Sequence, residues 1–256
     1  MAETKIGVYT ELPGGKPPVR VGTLWAVGDR ARQGAKFEYD AAWLAHPQGY
    51  GLEPALQLAR AAGLSVPPFR LETLVAGDRR RHVLVVKKFD RGPAGERIPY
   101  LSAMSLLDAE DGDRRSYLEL AEAMQPSCVD YRRQLRELWR RMAFNHLVCN
   151  TDDHMRNHGF LRLRPGGWEL SPLFDVNPTP PSAAPRDRAT PLTPEGEAVN
   201  RETLLECCTS FHLRLSEAQD AWTHLQNAMA GWRAAASAFR IPKREHDRMA
   251  DAFTTC

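Results

Sequence analysis

The chain has 256 residues, 43% of them hydrophobic and 26% charged, a balance that fits one or two globular domains and excludes disorder, collagen and coiled coil as overall descriptions. Lys and Arg number 34 against 32 Asp and Glu, so the formal charge is +2, too small a field to gather nucleic acid or a membrane surface directly. No apolar run of about 18 residues argues for a spanning helix. The N-terminus MAETKIGVYTELPGG lacks a signal pattern, and five cysteines without a C-x-x-C pair read as reduced cytoplasmic thiols.

The first forty residues read as an antiparallel meander. Ile6–Thr10 is a β-branched and aromatic run that stops at the turn signal Pro13-Gly14-Gly15-Lys16-Pro17-Pro18. Val19–Trp25 alternates apolar and polar residues, and Ala35–Tyr39 is a third strand after the turn at Gly28-Asp29. Ala41–Ala45 opens a short helix that Pro47 cuts off. Glu53–Ala62 is helical by spacing, with Gly63 as its C-cap. Arg70–Ala76 and His82–Phe89 form a hairpin across Gly77-Asp78. The second of these strands is apolar on both faces, so it calls for cover on both sides, from the meander or from another chain.

Beyond Arg91 the pattern is mainly helical. The strongest helix carries Leu135, Leu138, Met142 and Phe144–Leu147 and runs to about Cys149; His146 reads as a packed core histidine. Later helices fall near Arg201–Cys208, Ser216–Arg233, with Ser216 as N-cap, and Lys243–Phe253. Between them, Asn177–Gly196 is Pro-rich and reads equally as a surface linker or as a loop bordering a site.

One stretch carries chemistry: FNHLVCNTDDHMRNHGF (Phe144–Phe160), followed by WELSPLFDVNPTP (Trp168–Pro180). An apolar helix ends in a cluster of Asn, Asp and His, which are poor helix formers and good loop formers. Asp152 and Asn157 stand five apart, the spacing of the catalytic Asp and metal-binding Asn in the protein-kinase catalytic loop. Asp175 follows 18 residues after Asn157, beyond a strand pair turning at Pro165-Gly166-Gly167, where a kinase places its metal-chelating carboxylate. Phosphoryl transfer needs a carboxylate beside the attacking hydroxyl and hard oxygen ligands for magnesium. Alone, Asp152 or Asp153 reads as a turn cap. His154 and His158 with Cys149 or Asp153 form a weak zinc alternative, disfavoured by the loop character and Gly159.

NTDDHMRNHGFL and WELSPLFDVNP together resemble the HipA-like serine/threonine kinases, toxins of bacterial toxin–antitoxin pairs. The resemblance extends to VKKFDR (Val86–Arg91), PYLSAMSLL (Pro99–Leu107) and FEYDAAWLAHPQGYGLEPAL (Phe37–Leu56). It implies an α+β fold: a small β-rich N-terminal subdomain over residues 1–57, a remnant of the nucleotide lobe over 58–91, and a helical kinase lobe over 92–256. It makes Asp152 the catalytic base, gives Asn157 and Asp175 to magnesium and ATP, and has His154 and Arg156 shape the catalytic loop. It further implies a protein substrate, an antitoxin-like DNA-binding partner, no direct nucleic-acid or membrane binding by this chain, and a cytoplasmic location.

The departures from the family are equally specific. No Gly-rich phosphate loop, strand lysine or helix glutamate is recognisable: Gly14-Gly15-Lys16 falls in the meander turn, Gly49-Tyr50-Gly51 lacks a lysine, and Lys87 and Lys88 follow the hinge as exposed strand charges. Something on the order of 100 residues of the nucleotide lobe is absent between about Leu56 and Ala59, and the chain length agrees. Two functions are therefore open: a kinase with impaired phosphate handling, or an inactive module that binds an antitoxin-like or regulatory partner.

Overall fold

The computed structural model describes residues 3–10, 19–28, 33–39, 53–76, 79–110, 112–179, 189–238 and 243–253. The expected turns at Pro13–Pro18 and Gly77-Asp78, the helix at Ala41–Ala45, Gly49–Gly51 and the stretch 180–188 of the Pro-rich segment lie outside these residues. The described chain divides into two compact units, one comprising residues 1–53 and 68–87, the other 54–67 and 88–256.

In the first unit, β1 (Glu3–Thr10), β2 (Val19–Gly28) and β3 (Gln33–Tyr39) form an antiparallel sheet in the order β1-β2-β3. The register places Ile6 opposite Leu24 and Leu24 opposite Phe37. The hairpin β4 (Phe69–Ala76) and β5 (Arg79–Val86) pairs Leu71 with Leu84 and Phe69 with Val86. β5 runs beside β3. The cover that the hairpin calls for is only partial among the described residues: Leu84 is half-buried and Val86 at its end is 39% exposed. Lys87 and Lys88 follow as exposed residues.

The second unit opens with α1 (Glu53–Ala61), which continues from the first at Glu53 and buries Ala55, Leu58, Ala59 and Ala62. Its core is organised by α3 (Tyr117–Ser127) and α4 (Tyr131–Leu147), which follow the short β6 (Tyr100–Ser102) and α2 (Ala103–Leu106). α3 starts at a capping box, with Ser116 and Glu119 each satisfying the other's backbone N–H. On α4, Leu135, Leu138, Trp139 and Met142 repeat at i, i+3, i+4 and i+7 and are completely or almost completely buried. Burial of each such side chain contributes about 1.5–3 kcal/mol. Trp139 also donates its indole N–H to Leu204 O at 2.9 Å, so it seats α5 (Arg201–Glu206).

A second sheet has the order β6-β7-β8, with β7 spanning Gly159–Arg164 and β8 Gly167–Leu170. The hairpin of β7 and β8 agrees with the sequence pattern, whereas β6 is too short to signal itself. α6 (Leu215–Ala230) begins two residues earlier than the expected cap at Ser216 implies. The cap is Arg214, whose backbone N–H donates to Glu217 Oε2 at 2.8 Å; Ser216 already lies within the first turn. The expected single helix then breaks at Gly231, and α7 (Trp232–Ala238) and α8 (Lys243–Met249) follow. The described end of the Pro-rich segment is no surface linker: Thr190 and Leu192 are buried, and Pro191 O and Leu192 O accept from Tyr117 N and Leu118 N. These bonds satisfy N–H groups that the start of α3 would otherwise leave open. Cys128, Cys207 and Cys208 are free thiols, while Cys149 is disulfide-bonded, which corrects the expectation of five reduced cysteines.

Candidate functional site

The loop after α4 begins with a Schellman termination. Asn150 N donates to Asn145 O at 2.9 Å and Cys149 N to His146 O at 3.0 Å, with Cys149 left-handed at φ 53°. The chain is thereby turned out of the helix into Asn150–His158, the first limb of the site. Asp152 is exposed and Asp153, its neighbour, is buried. Asn157 is buried as well, in the 3₁₀ turn Met155–Asn157. Its Nδ2 donates to Asp152 O at 3.1 Å and its backbone N–H to His154 O at 2.8 Å. The Asn157 amide oxygen therefore stands on the side away from Asp152's backbone. His154 contributes through its main chain, donating to Asp152 O at 3.0 Å, and its buried Nδ1 has no hydrogen-bond partner among the described residues. Arg156 is exposed and lies 3.4 Å from the Met104 sulfur.

The second limb, Ser171–Thr179, carries Asp175. Ser171 O accepts from the buried Arg141 at 2.8 Å, Leu170 N donates to Gln134 Oε1 at 3.0 Å, and Leu173 N donates to Ser65 O at 2.7 Å. Burial pushes the Arg141 guanidinium down from its ordinary pKa, while the adjacent Glu137 carboxylate works the other way and holds the proton on. Phe174 packs on Phe89 with ring centroids 5.4 Å apart. This contact gives Phe89 a place beside the site, beyond the end of β5. Asp175 itself is exposed and left-handed at φ 54°, and its Oδ1 accepts from Asn177 Nδ2 at 2.9 Å.

The two limbs are joined by their backbones and hydroxyls. Asn150 forms an isolated antiparallel bridge with Pro178, Thr179 N donates to Cys149 O at 3.0 Å, and the Thr151 and Thr179 hydroxyls bond at 3.2 Å. Asp152 follows this junction by one residue and Asp175 precedes it by three. The fold therefore brings together the two segments that carry Asp152, His154, Arg156, Asn157 and Asp175. Among the described residues no group of three or more His, Cys, Asp and Glu could hold a metal, so the zinc alternative has no geometry behind it. Asn157 and Asp175 instead offer one amide and one carboxylate oxygen set, the hard donors that suit magnesium when phosphate oxygens complete the shell.

Two features escaped the sequence reading. Asp153 and His158, which read as a turn cap and as a zinc candidate, face each other inside the core. Asn177 is the partner of Asp175, and its position two residues away is a signal available in DVN.

The HipA-like C-terminal domain family matches residues 51–245, and the chain belongs to that family. Among solved structures it is similar to HipA of Shewanella oneidensis MR-1, solved in a toxin–antitoxin complex with HipB and its operator DNA. There the TM-score is 0.62 at 15% identity, covering 98% of this chain and 61% of that one. It is also similar to the Helicobacter pylori proinflammatory kinase CtkA, with a TM-score of 0.58 at 13% identity, covering 95% of this chain and 93% of that one. The chain thus spans about three-fifths of the HipA chain and nearly all of CtkA, and its α+β fold is that of the HipA-like kinases. No curated protein sequence matches. Among the described residues no helix is long and apolar enough to cross a membrane.

Proposed function

We propose that this chain is a protein serine/threonine kinase that transfers the ATP γ-phosphate to a protein hydroxyl. The observation that supports this most is the junction of the limbs through Thr151 and Thr179, which keeps the Asp152–Asn157 loop and Asp175 in one neighbourhood. Asp152, exposed at the head of the loop, accepts the proton of the substrate hydroxyl. Asn157 Oδ1 and the Asp175 carboxylate hold magnesium. Bound magnesium-ATP would supply the phosphoryl group and neutralise charge around it. His154 and Arg156 keep the loop in shape.

The likeness to CtkA, a kinase of comparable chain length, supports catalysis by a chain of this size. The likeness to HipA in its complex with HipB and DNA motivates a toxin role, a cytoplasmic location and an antitoxin-like DNA-binding partner for this chain. The test is transfer of radiolabel from γ-labelled ATP to the chain itself and to generic protein acceptors, with magnesium and with chelator. Magnesium-dependent labelling on Ser or Thr, abolished in Asp152→Asn, is the expected result. Absence of labelling by the wild-type chain, together with capture of an antitoxin-like partner, would establish the inactive binding module instead.

A further inference from the structure

The side chains of Tyr117, Asp153 and His158 form a buried cluster directly behind the first limb. Asp153 and His158 are 6% and 1% exposed, values at which a carboxylate is retained only with partners. Asp153 Oδ2 accepts from the Tyr117 hydroxyl, and His158 Nε2 lies 3.0 Å from Asp153 Oδ1. The Tyr117 and His158 rings meet edge-on at 5.5 Å. Each member sits at a fixed point of the scaffold. Tyr117 is the first residue of α3, with its N–H on Pro191 O. His158 O accepts from Ala103 N at 2.7 Å, at the start of α2. Gly159 follows because a Cβ there would fall 2.5 Å from the Tyr100 ring and 2.7 Å from Ser171 Oγ.

The register of this cluster is informative. The Asn157 Nδ2 bond to Asp152 O closes the interval from 152 to 157. His158 Nε2, 3.0 Å from Asp153 Oδ1 but without hydrogen-bond geometry, spans the interval from 153 to 158 as a close packing contact. Two contacts of equal span, offset by one residue, therefore lie side by side. One is made by the residues assigned to base and metal, the other by their immediate neighbours. Asp153 turned into the core leaves Asp152 exposed at the surface, and His158 held in place fixes the residue that follows Asn157.

We propose that Tyr117, Asp153 and His158 are positioning residues that set the separation of Asp152 from Asn157, so that proton acceptance and metal binding occur at one distance. The proposal rests on the kinase reading. Its effect is on turnover and metal affinity, since none of the three has been assigned to nucleotide contact. Asp153→Asn should lower kcat on the order of 10²-fold, the scale of a displacement of about 1 Å at a reacting group, with KM for ATP changed by less than about twofold. Tyr117→Phe keeps the ring and removes only the hydroxyl, so about tenfold is expected. The double variant Asp153→Asn/His158→Gln should lose no more than Asp153→Asn alone, because both act through one contact.

The experiment combines steady-state phosphotransfer with manganese(II) binding followed by electron paramagnetic resonance, on folded protein verified by thermal melting. Weaker manganese binding and lower kcat in both single variants support the proposal. If Asp153→Asn does not fold, Tyr117→Phe decides it. Wild-type kcat and manganese affinity in a folded Tyr117→Phe, or additive losses in the double variant, overturn it. A wild-type chain that binds manganese in a Tyr117- and Asp153-dependent way without transferring phosphate retains the positioning role and removes the kinase reading. A wild-type chain that does neither overturns both.

Discussion

The two limbs of the site are held by opposite means. Asn150–His158 is pinned from within by its own side chains: Asp153 and His158 enter the core, and Asn157 folds back on Asp152 O. Ser171–Thr179 sends no charged side chain inward. It is gripped from outside by Arg141 of α4, while Gln134 of the same helix holds Leu170 just ahead of it, and its carboxylate stands on a left-handed residue braced by Asn177. The difference teaches where each limb is vulnerable. A change in the first limb's own sequence should disturb it most, whereas the second should fail when α4 changes.

The largest effect tests the first limb. Asp152→Asn removes the proposed base from an exposed position that bears no packing. A rate loss of about 10²–10⁴-fold is expected, the usual contribution of a general base, with an unchanged melting temperature. Phosphotransfer assays and thermal melting measure the two quantities separately. A large fall in melting temperature would show that Asp152, like Asp153, is structural, and the distinction between the two neighbours would fail.

The second limb is tested through α4. Arg141 is 2% exposed, bonds Ser171 O at 2.8 Å and pairs with Glu137 Oε1 at 3.0 Å. Arg141→Met keeps much of the volume but leaves both acceptors without their donor. Breaking a buried pair in this way costs about 3 kcal/mol, read as a lower midpoint in urea denaturation. Should stability hold, Ser171 must be held by its own N–H on Gly159 O instead.

Legibility in the sequence follows the same division. Helices with strong periodicity, such as α4, and the Asp152, Asn157, Asp175 spacing are local signals, and the resemblance they carry named the family. The hairpin of β7 and β8 was marked by its glycines. What the sequence did not show depends on long-range closure. Tyr117 meets Asp153 across 36 residues, and Arg141 meets Ser171 across 30. Ser216 looked like a cap because caps are written in short polar residues, but Glu217 reaching back to Arg214 N determined the start.

A smaller effect separates backbone from chemistry at Asp175. With φ at 54°, an Ala there carries left-handed strain of roughly 1–2 kcal/mol, whereas Gly carries none. Asp175→Gly should therefore be more stable than Asp175→Ala by about that amount, while both lose metal-dependent activity equally. Equal stability would mean that the second limb does not depend on this conformation.

The smallest effect is expected from acid. Glu169, on β8 just ahead of the second limb, accepts from Arg164 at 2.7 Å and from Arg133 at 3.0 Å. The Arg164 hydrogen bond, reinforced by Arg133, holds its carboxyl below the usual carboxylate range against the opposing effect of burial. A carboxyl with a lower pKa folded than unfolded stabilises fully above its unfolded value, near 4.5, and loses that contribution as the pH falls through its folded value. Glu169→Gln should therefore be less stable than wild type at neutral pH, with the gap closing in acid. Both arginines are well exposed, so salt screens part of the gap. Urea denaturation of the two proteins across this range, at low and high salt, measures the closing directly. A gap that persists unchanged into strong acid would mean that Glu169 holds β8 by packing, and that the second limb owes nothing to this ion pair.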